Sequence, residues 1–589
     1  MKQNLLKTCV PLSAALLLSG CIDNKYDLSD IDKTTQINVN DLVIPVNVDA
    51  VKLDDIITID DDSKIKIVNL NGTEVYAVSE TGDFNSDDIN IKGFRAEKPE
   101  IGDAHLTFEL RGPETKAITE KFYYDFKTSD PQEVHFKASD VDESIKEISA
   151  LEFLPMKITM HMTTTGLDDN AEIMLPTLQF NFLKGLVVEN LPSNYSYDPN
   201  SGVLIVRNLN CPNRKGEVTI TAVGLNFEQA GDDASLIDHN FVFKSDIEIT
   251  DAKMELTMTY DTQAPALDNL VDFDIHTTVE DLEATYFSGI VQYKLEGDAL
   301  NIDPVSLSDI PDFLSNEETD LRLANPQIYL GLNNPMAVYN LKVETGLELA
   351  SVRGEEKTPF NLNAGELVKI GTNYGVNGPY NFVLSPSMPQ QPLPAYAEHL
   401  THVGFSSLSN VLAGNGLPES IEINLVNPEL PEQPVSRFEL NNSISGVKGT
   451  YEFLAPLALK TGENGSVIVY SKVDDGWSDD DLDKLTINTL SIDADVDSNL
   501  PLNANLTVYP IDKQGNVISN VKVTTATIAA NTSGQKLSLA LTGEIKELDG
   551  VKYEAVVRPG SEEALSPNQT LTLTNIRVKV SGYYLTDFD

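Results

Sequence analysis

The feature that most constrains this chain is a period of two. Met254, Leu256, Met258 and Tyr260 alternate with Glu255, Thr257 and Thr259. Val218, Ile220 and Ala222 alternate with Thr219 and Thr221, and Leu490, Ile492, Ala494 and Val496 with Ser491, Asp493 and Asp495. Each run gives a strand one apolar face and one wet face. At the C-terminus, Leu571 and Leu573 share one parity, while Ile576, Val578 and Val580 share the other. A bulge at Asn575 is therefore predicted, since it returns the second set to the core side. Turn chemistry separates the runs, as in Leu191-Pro192-Ser193-Asn194 and Asp198-Pro199-Asn200-Ser201-Gly202. The pattern predicts an all-β chain: several antiparallel β-sandwich domains with a few short helices, rather than βαβ units.

Three helices are expected. Val141, Ile145 and Ile148 follow helical spacing with Ser139 as N-cap. A second lies near Leu307–Leu314, broken or opened by Pro311, and a third runs from Ala395 to Val411 with Gly404 as its weak point. Two segments echo each other: Asn333-Asn334-Pro335 leads toward Tyr339–Val343, and Asn499-Leu500-Pro501 toward Ala504–Val508. In both, a Pro at the first residue of a strand is predicted, where it sacrifices no ladder bond. The length of 589 residues sets a prior of about four domains. The divisions expected are a leader over 1–20, a flexible tether over 21–40, and β domains over 41–150, 151–300, 301–450 and 451–589.

The leader has Lys2 and Lys7 and no acid, then an uncharged Leu- and Ala-rich stretch from Thr8 to Gly20. That stretch is short for a permanent membrane helix and has the form of a signal peptide. It ends in Leu18-Ser19-Gly20-Cys21, the order of a lipobox, so Cys21 is the expected lipidation site and membrane anchor. Acyl chains contribute about 0.8 kcal/mol per buried CH₂, so a multiply acylated cysteine holds firmly. The polar stretch that follows, with Asp23, Asp27 and Asp30, suits a tether equally as it suits an export signal.

The formal charge is −48, which repels nucleic acid and anionic headgroups. Of three cysteines, Cys9 leaves with the leader and Cys21 is acylated, so Cys211 stands alone and no intrachain disulfide is expected. Its place after Gly202–Val206 predicts a small hydrophobe near a strand end; a reactive thiol would need its sequence neighbours Arg207, Arg214 and Lys215 around it.

No catalytic constellation emerges. Glu398-His399-Leu400-Thr401-His402 offers two histidines at i, i+3, but neither zinc-protease order nor a third ligand. A solvated helix face is the expected role. The chain has no G-x-S-x-G, P-loop or G-x-G-x-x-G, and among its 90 acids none singles itself out as a glycosidase pair. Asp54-Asp55, Asp60-Asp61-Asp62 and Asp479-Asp480-Asp481 do not fit a calcium loop. No cofactor and no metal site are expected. The sole tryptophan, in Gly476-Trp477-Ser478-Asp479-Asp480-Asp481-Leu482, fits a helix start better than a ligand site. Ser478 is the N-cap, Asp481 lies at N3, and Trp477 with Leu482 forms a hydrophobic staple, the cap being worth about 1 kcal/mol.

Tyr26-Asp27-Leu28-Ser29-Asp30-Ile31-Asp32, Val51–Ile57 with Ile59-Asp60-Asp61-Asp62, Leu323–Tyr329 with Asn334-Pro335, and Gly449–Leu457 together resemble uncharacterised surface lipoproteins of Bacteroides-type gut anaerobes. The resemblance implies an all-β fold and a lipid-anchored place in the outer membrane, and brings no active-site residue. Three functions compete. The expected one is a non-enzymatic envelope or surface lipoprotein that binds a glycan, host ligand or partner protein. A carrier of lipid or another apolar ligand needs strands from 242 to 300 around an empty tube. A glycan-degrading enzyme needs two facing carboxylates in a deep cleft. With one Trp and 7% aromatics, a sugar-stacking platform would fall to the 20 tyrosines.

Overall fold

The computed structural model describes residues 34–45, 50–57, 59, 64–70, 72–111, 119–126, 131–167, 169–259, 268–296, 302–307, 314, 316–360, 368–371, 378–476 and 485–587. The leader, Cys21, Asp60–Asp62, Trp477 and Asp479–Asp481 lie outside them. The all-β expectation holds. α-Helix among the described residues amounts to the four-residue turns Leu53–Ile56 and Phe227–Ala230, and no described helix is long and apolar enough to cross a membrane.

The strands build three sandwiches. In the first, one sheet centres on Asn240–Thr259, beside Ala171–Asn181 and Val203–Cys211. It packs on a twelve-stranded sheet whose spine is Ile145–Thr165, flanked by Lys215–Asn226 and Leu282–Lys294. Alternation puts Met254, Leu256 and Met258 of one sheet against Met156, Ile158 and Met160 of the other, all within 3% of full burial. The twelve-stranded sheet then continues through Ser420–Glu439. Residues 429–439 of that strand pair with Leu282–Lys294, and residues 420–429 with Glu344–Arg353. This extension is one face of the middle sandwich. The other is a six-stranded sheet in the order Leu400–Gly404, Tyr380–Ser385, Gln327–Asn333, Lys448–Pro456, Thr73–Asn85, Ile65–Leu70. Its first pair is parallel, whereas the other described ladders are antiparallel. The C-terminal sandwich packs Thr34–Pro45, Thr570–Asp587, Leu485–Ser498 and Thr532–Ile545 against Ile468–Asp474, Leu548–Pro559 and Leu502–Asp512.

These units are interleaved in sequence. Residues 34–40 of the expected tether form the edge strand of the C-terminal sandwich, where Thr34 pairs with Asp587. The chain then enters the middle core at Leu53 and the first core at Ile89. It re-enters the middle at Ile302 and returns to the first through Met336–Val343 and Leu430–Val447. The divisions drawn at 150 and 450 fall inside the strands Ile145–Thr165 and Lys448–Pro456.

Several local expectations need correction. Val141, Ile145 and Ile148 are buried as their spacing suggests, but the strand Ile145–Thr165 replaces the helix. One register shift against Leu282–Lys294, between Ile290 and Val291, turns both Ile145 and Ile148 inward, so a bulge imitates helical spacing. Gly289 sits beside this irregularity, where a Cβ would lie 1.9 Å from the Glu147 carbonyl oxygen. Over 395–411, two 3₁₀ turns, Pro394–Tyr396 and Ser406–Asn410, enclose the strand Leu400–Gly404. Near Leu307–Leu314, a strand over Val305–Ser306 precedes residues outside the description. The echo also divides. Asn499-Leu500-Pro501 does introduce the strand Leu502–Asp512, but Pro335 opens the 3₁₀ turn Pro335–Tyr339. There the buried Asn334 accepts from the Met336 amide at 3.0 Å and donates to the Leu341 carbonyl at 2.7 Å. The bulge at Asn575 is present: Asp493 pairs with Arg577 and Asp495 with Thr574, and Asn575 has φ 51°.

Candidate functional site

The two close histidines do not share a helix face. His399 has φ 52° and precedes a strand, while the ring of His402 reaches the Ser385 carbonyl oxygen at 3.2 Å. Asp54 and Asp55 act locally: Asp55 accepts from the Lys52 amide at 3.1 Å and Asp54 from the Tyr76 hydroxyl at 3.3 Å. Cys211 ends its strand at 4% exposure, and burial pushes its thiol up to about 11. Among the described residues, no group of three or more His, Cys, Asp or Glu is arranged to hold a metal ion.

Three other histidines, distant in sequence, share the outer face of the twelve-stranded sheet. His276 pairs directly across from His161, and His105 across from Asp274. Each meets a carboxylate: His105 Nδ1 lies 2.6 Å from Asp274, His276 Nδ1 2.6 Å from Asp103, and His161 Nδ1 3.5 Å from Glu217. The hydrogen bond that the ring donates to Asp274 raises the His105 pKa, and the nearby Asp272 adds to it. Alternation in Asp272-Phe273-Asp274-Ile275-His276 marks the wet face, but only strand pairing brings the other histidines to it.

A groove of about 530 Å³ lies at one end of the six-stranded sheet, lined by Asp83, Phe84, Asn85, Gly331, Asn333, Pro379, Lys448, Gly449 and Thr450. Even- and odd-numbered residues of each strand face opposite ways. Phe84, Leu330, Leu332, Phe382 and Tyr451 go to the core, leaving their neighbours for the outer face. Register arranges those neighbours in rungs. Asn333, Lys448 and Asn85 form one, and Asn381, Gly331, Thr450 and Asp83 the next. Strands lie about 4.8 Å apart and same-face rungs about 7 Å apart, so amide, hydroxyl, ammonium and carboxylate groups form a grid. Asp83, Asn85, Asn333, Lys448 and Thr450 are exposed. Neither Asp83 nor Lys448 has an ion-pair partner among the described residues.

Gly331 leaves a notch in this grid. A Cβ there would lie 2.8 Å from Thr450 Oγ1, 3.1 Å from Asn381 Oδ1 and 3.4 Å from the Tyr396 ring. The missing side chain lets Tyr396 settle beside the grid, where its hydroxyl pairs with Thr450. Tyr396 also packs on Tyr329, with ring centroids 5.2 Å apart. The Tyr329 hydroxyl donates to Gln327 at 2.6 Å, and burial pushes its pKa up to about 12. Burial likewise raises the pKa of Glu452, one rung beyond Thr450. The sequence reading missed this site, although Asn333-Asn334 and Gly449-Thr450 lie in or beside segments already singled out. Their juxtaposition depends on pairing between residues more than a hundred positions apart.

The two alternatives meet definite geometry. The inward side chains Phe243, Ile247, Ile249 and Phe273 of the 242–300 region interlock in the first core with Phe136 and Phe180, in place of the tube an apolar-ligand carrier needs. Among the described residues that line the groove, Asp83 is the one carboxylate, whereas glycoside hydrolysis uses two.

No protein-family model and no curated protein matches the sequence. Among solved structures, the chain is similar to "a putative secreted protein from Parabacteroides distasonis", at 14% identity and TM-score 0.34, over 50% of this chain and 89% of that one. A triple jelly-roll protein of an archaeal virus turret aligns at 10% identity and TM-score 0.11, over 84% of this chain and 90% of that one. At these TM-scores neither superposition amounts to a common fold.

Proposed function

We propose that this chain is a non-enzymatic, lipid-anchored envelope protein that binds a neutral glycan in the groove of its middle sandwich. The observation that carries the reading is the two-rung polar grid across Gln327–Asn333, Lys448–Pro456 and Thr73–Asn85, with Tyr396 at its border. Sugar hydroxyls both donate and accept, and they match a surface that mixes amide, hydroxyl, ammonium and carboxylate groups better than an anion or cation does. Gly331 leaves room for the Tyr396 ring at the border of the grid, and the exposed Pro379 offers an apolar contact. The groove is of the size of small-ligand sites, about 300–1,000 Å³. Anchorage rests on the order Leu18-Ser19-Gly20-Cys21.

The test is an array of neutral oligosaccharides probed with the mature protein and with the double variant Asn333→Ala/Thr450→Val. Retention of one oligosaccharide class by wild type, reduced at least tenfold in the variant, is expected, with the retained sugar recovered at its original length. Equal retention by both proteins contradicts the site, and recovery of shortened sugar contradicts the non-enzymatic reading.

A further inference from the structure

The strand Thr570–Asp587 sets the orientation of this molecule. Its 18 residues span about 55 Å at the usual strand rise. One end is built into the middle sandwich. Thr570 and Leu571 pair with Lys52 and Val51, the Leu53 amide donates to the Gln569 carbonyl at 2.9 Å, and Leu565 is buried in the middle core. The other end, Asp587, pairs with Thr34. Around it lie Leu485, paired with Tyr584, and the turns at Ile545–Leu548 and Asp512–Asn516. The first described residue of the chain thus emerges at the tip of the C-terminal sandwich farthest from the middle one. The first sandwich lies beyond the middle one, joined to it through the shared strand Ser420–Glu439.

Thr34 is thirteen residues on from Cys21. Such a segment reaches about 45 Å fully extended and about 20 Å as a flexible coil. Charge is distributed to match. Residues 86–296, the first sandwich, carry 38 acidic and 17 basic side chains, whereas residues 34–45 and 468–587 of the C-terminal sandwich carry 18 and 10. Fields from a charged bilayer fade over about 8 Å at physiological salt, so only the unit touching the headgroups experiences them strongly. The less acidic unit is the one beside the tether.

We propose that the tip formed by Thr34, Asp587, Ile545–Leu548 and Asp512–Asn516 faces the lipid surface, and that the acidic first sandwich stands farthest from it. The sandwiches then rise from the membrane in reverse of their sequence order. The proposal rests on the lipid anchor at Cys21 given under the proposed function.

The experiment uses the full acylated protein in phosphatidylethanolamine/phosphatidylglycerol vesicles bearing a headgroup-linked acceptor dye. Single exposed cysteines carry the donor: Gln514→Cys at the tip, Glu355→Cys in the middle sandwich and Ser193→Cys in the first. Buried Cys211 stays in place. Energy transfer is expected to fall in the order 514, 355, 193, with at least a fivefold difference between the extremes. Equal transfer from all three, or the reverse order, overturns the orientation. Mass spectrometry of the same sample reports the anchor separately. A mature chain without diacylglycerol at Cys21 removes the anchor and this proposal together, whereas a lipidated chain with equal transfer removes the orientation alone.

Discussion

Cys211 and His105 show how far neighbours decide what a side chain does. Cys211 has basic residues beside it in sequence, yet its sulfur sits in the first core, 2.9 Å from where a Cβ on Gly216 would be. Burial holds the thiol protonated, so it is expected to ignore a disulfide reagent at pH 8 in the native protein and to react once the chain is unfolded. Rapid native reaction contradicts this. His105 is exposed, and its shift comes from the hydrogen bond to Asp274. A folded-state pKa above the unfolded value of about 6.5 means that protonation favours the fold. The contribution is complete below the unfolded value and is lost as pH rises through the raised one. In an NMR titration, Asp274→Asn is expected to move the His105 midpoint down; an unchanged midpoint contradicts the assigned cause.

Elements were legible where a strand keeps strict alternation, and illegible where a bulge resets it. Met254–Met258 and Val218–Ala222 gave their buried faces directly, and the parity switch after Leu573 located the bulge at Asn575. The same device read inward at Ile145 and Ile148 looked helical, because an extra residue converts a spacing of two into three. Pro335 looked like a strand start because nothing in its sequence reveals that Asn334 would be buried and bonded to Leu341. At Asn575 the backbone is left-handed, a conformation Gly accepts freely and Asn tolerates. Asn575→Gly is therefore expected to change stability by less than about 0.5 kcal/mol, the bond to Asp495 being exposed. Asn575→Val is expected to lose about 1–2 kcal/mol. Denaturant melts of the two variants compare them, and equal stability contradicts the bulge as the determinant.

At the scale of the molecule, sequence order and spatial order part company. The strand nearest the leader pairs with the strand at the C-terminus, and the middle sandwich is assembled from four separate stretches. No local pattern encodes such returns, because strand alternation specifies faces but not partners. The candidate site is a product of this assembly. Asp83 and Asn85 come from the first visit to the middle sandwich, Gly331 and Asn333 from the second, and Lys448 and Thr450 from the fourth. A ligand that bridges the rungs must therefore protect three distant segments together. Hydrogen exchange followed by mass spectrometry, with and without the oligosaccharide best retained on the array, reads this directly. Slowed exchange in peptides covering 82–86, 330–334 and 447–451, with the first and C-terminal sandwiches unchanged, is the predicted result; protection confined to either of those sandwiches, or absent from all three segments, contradicts it.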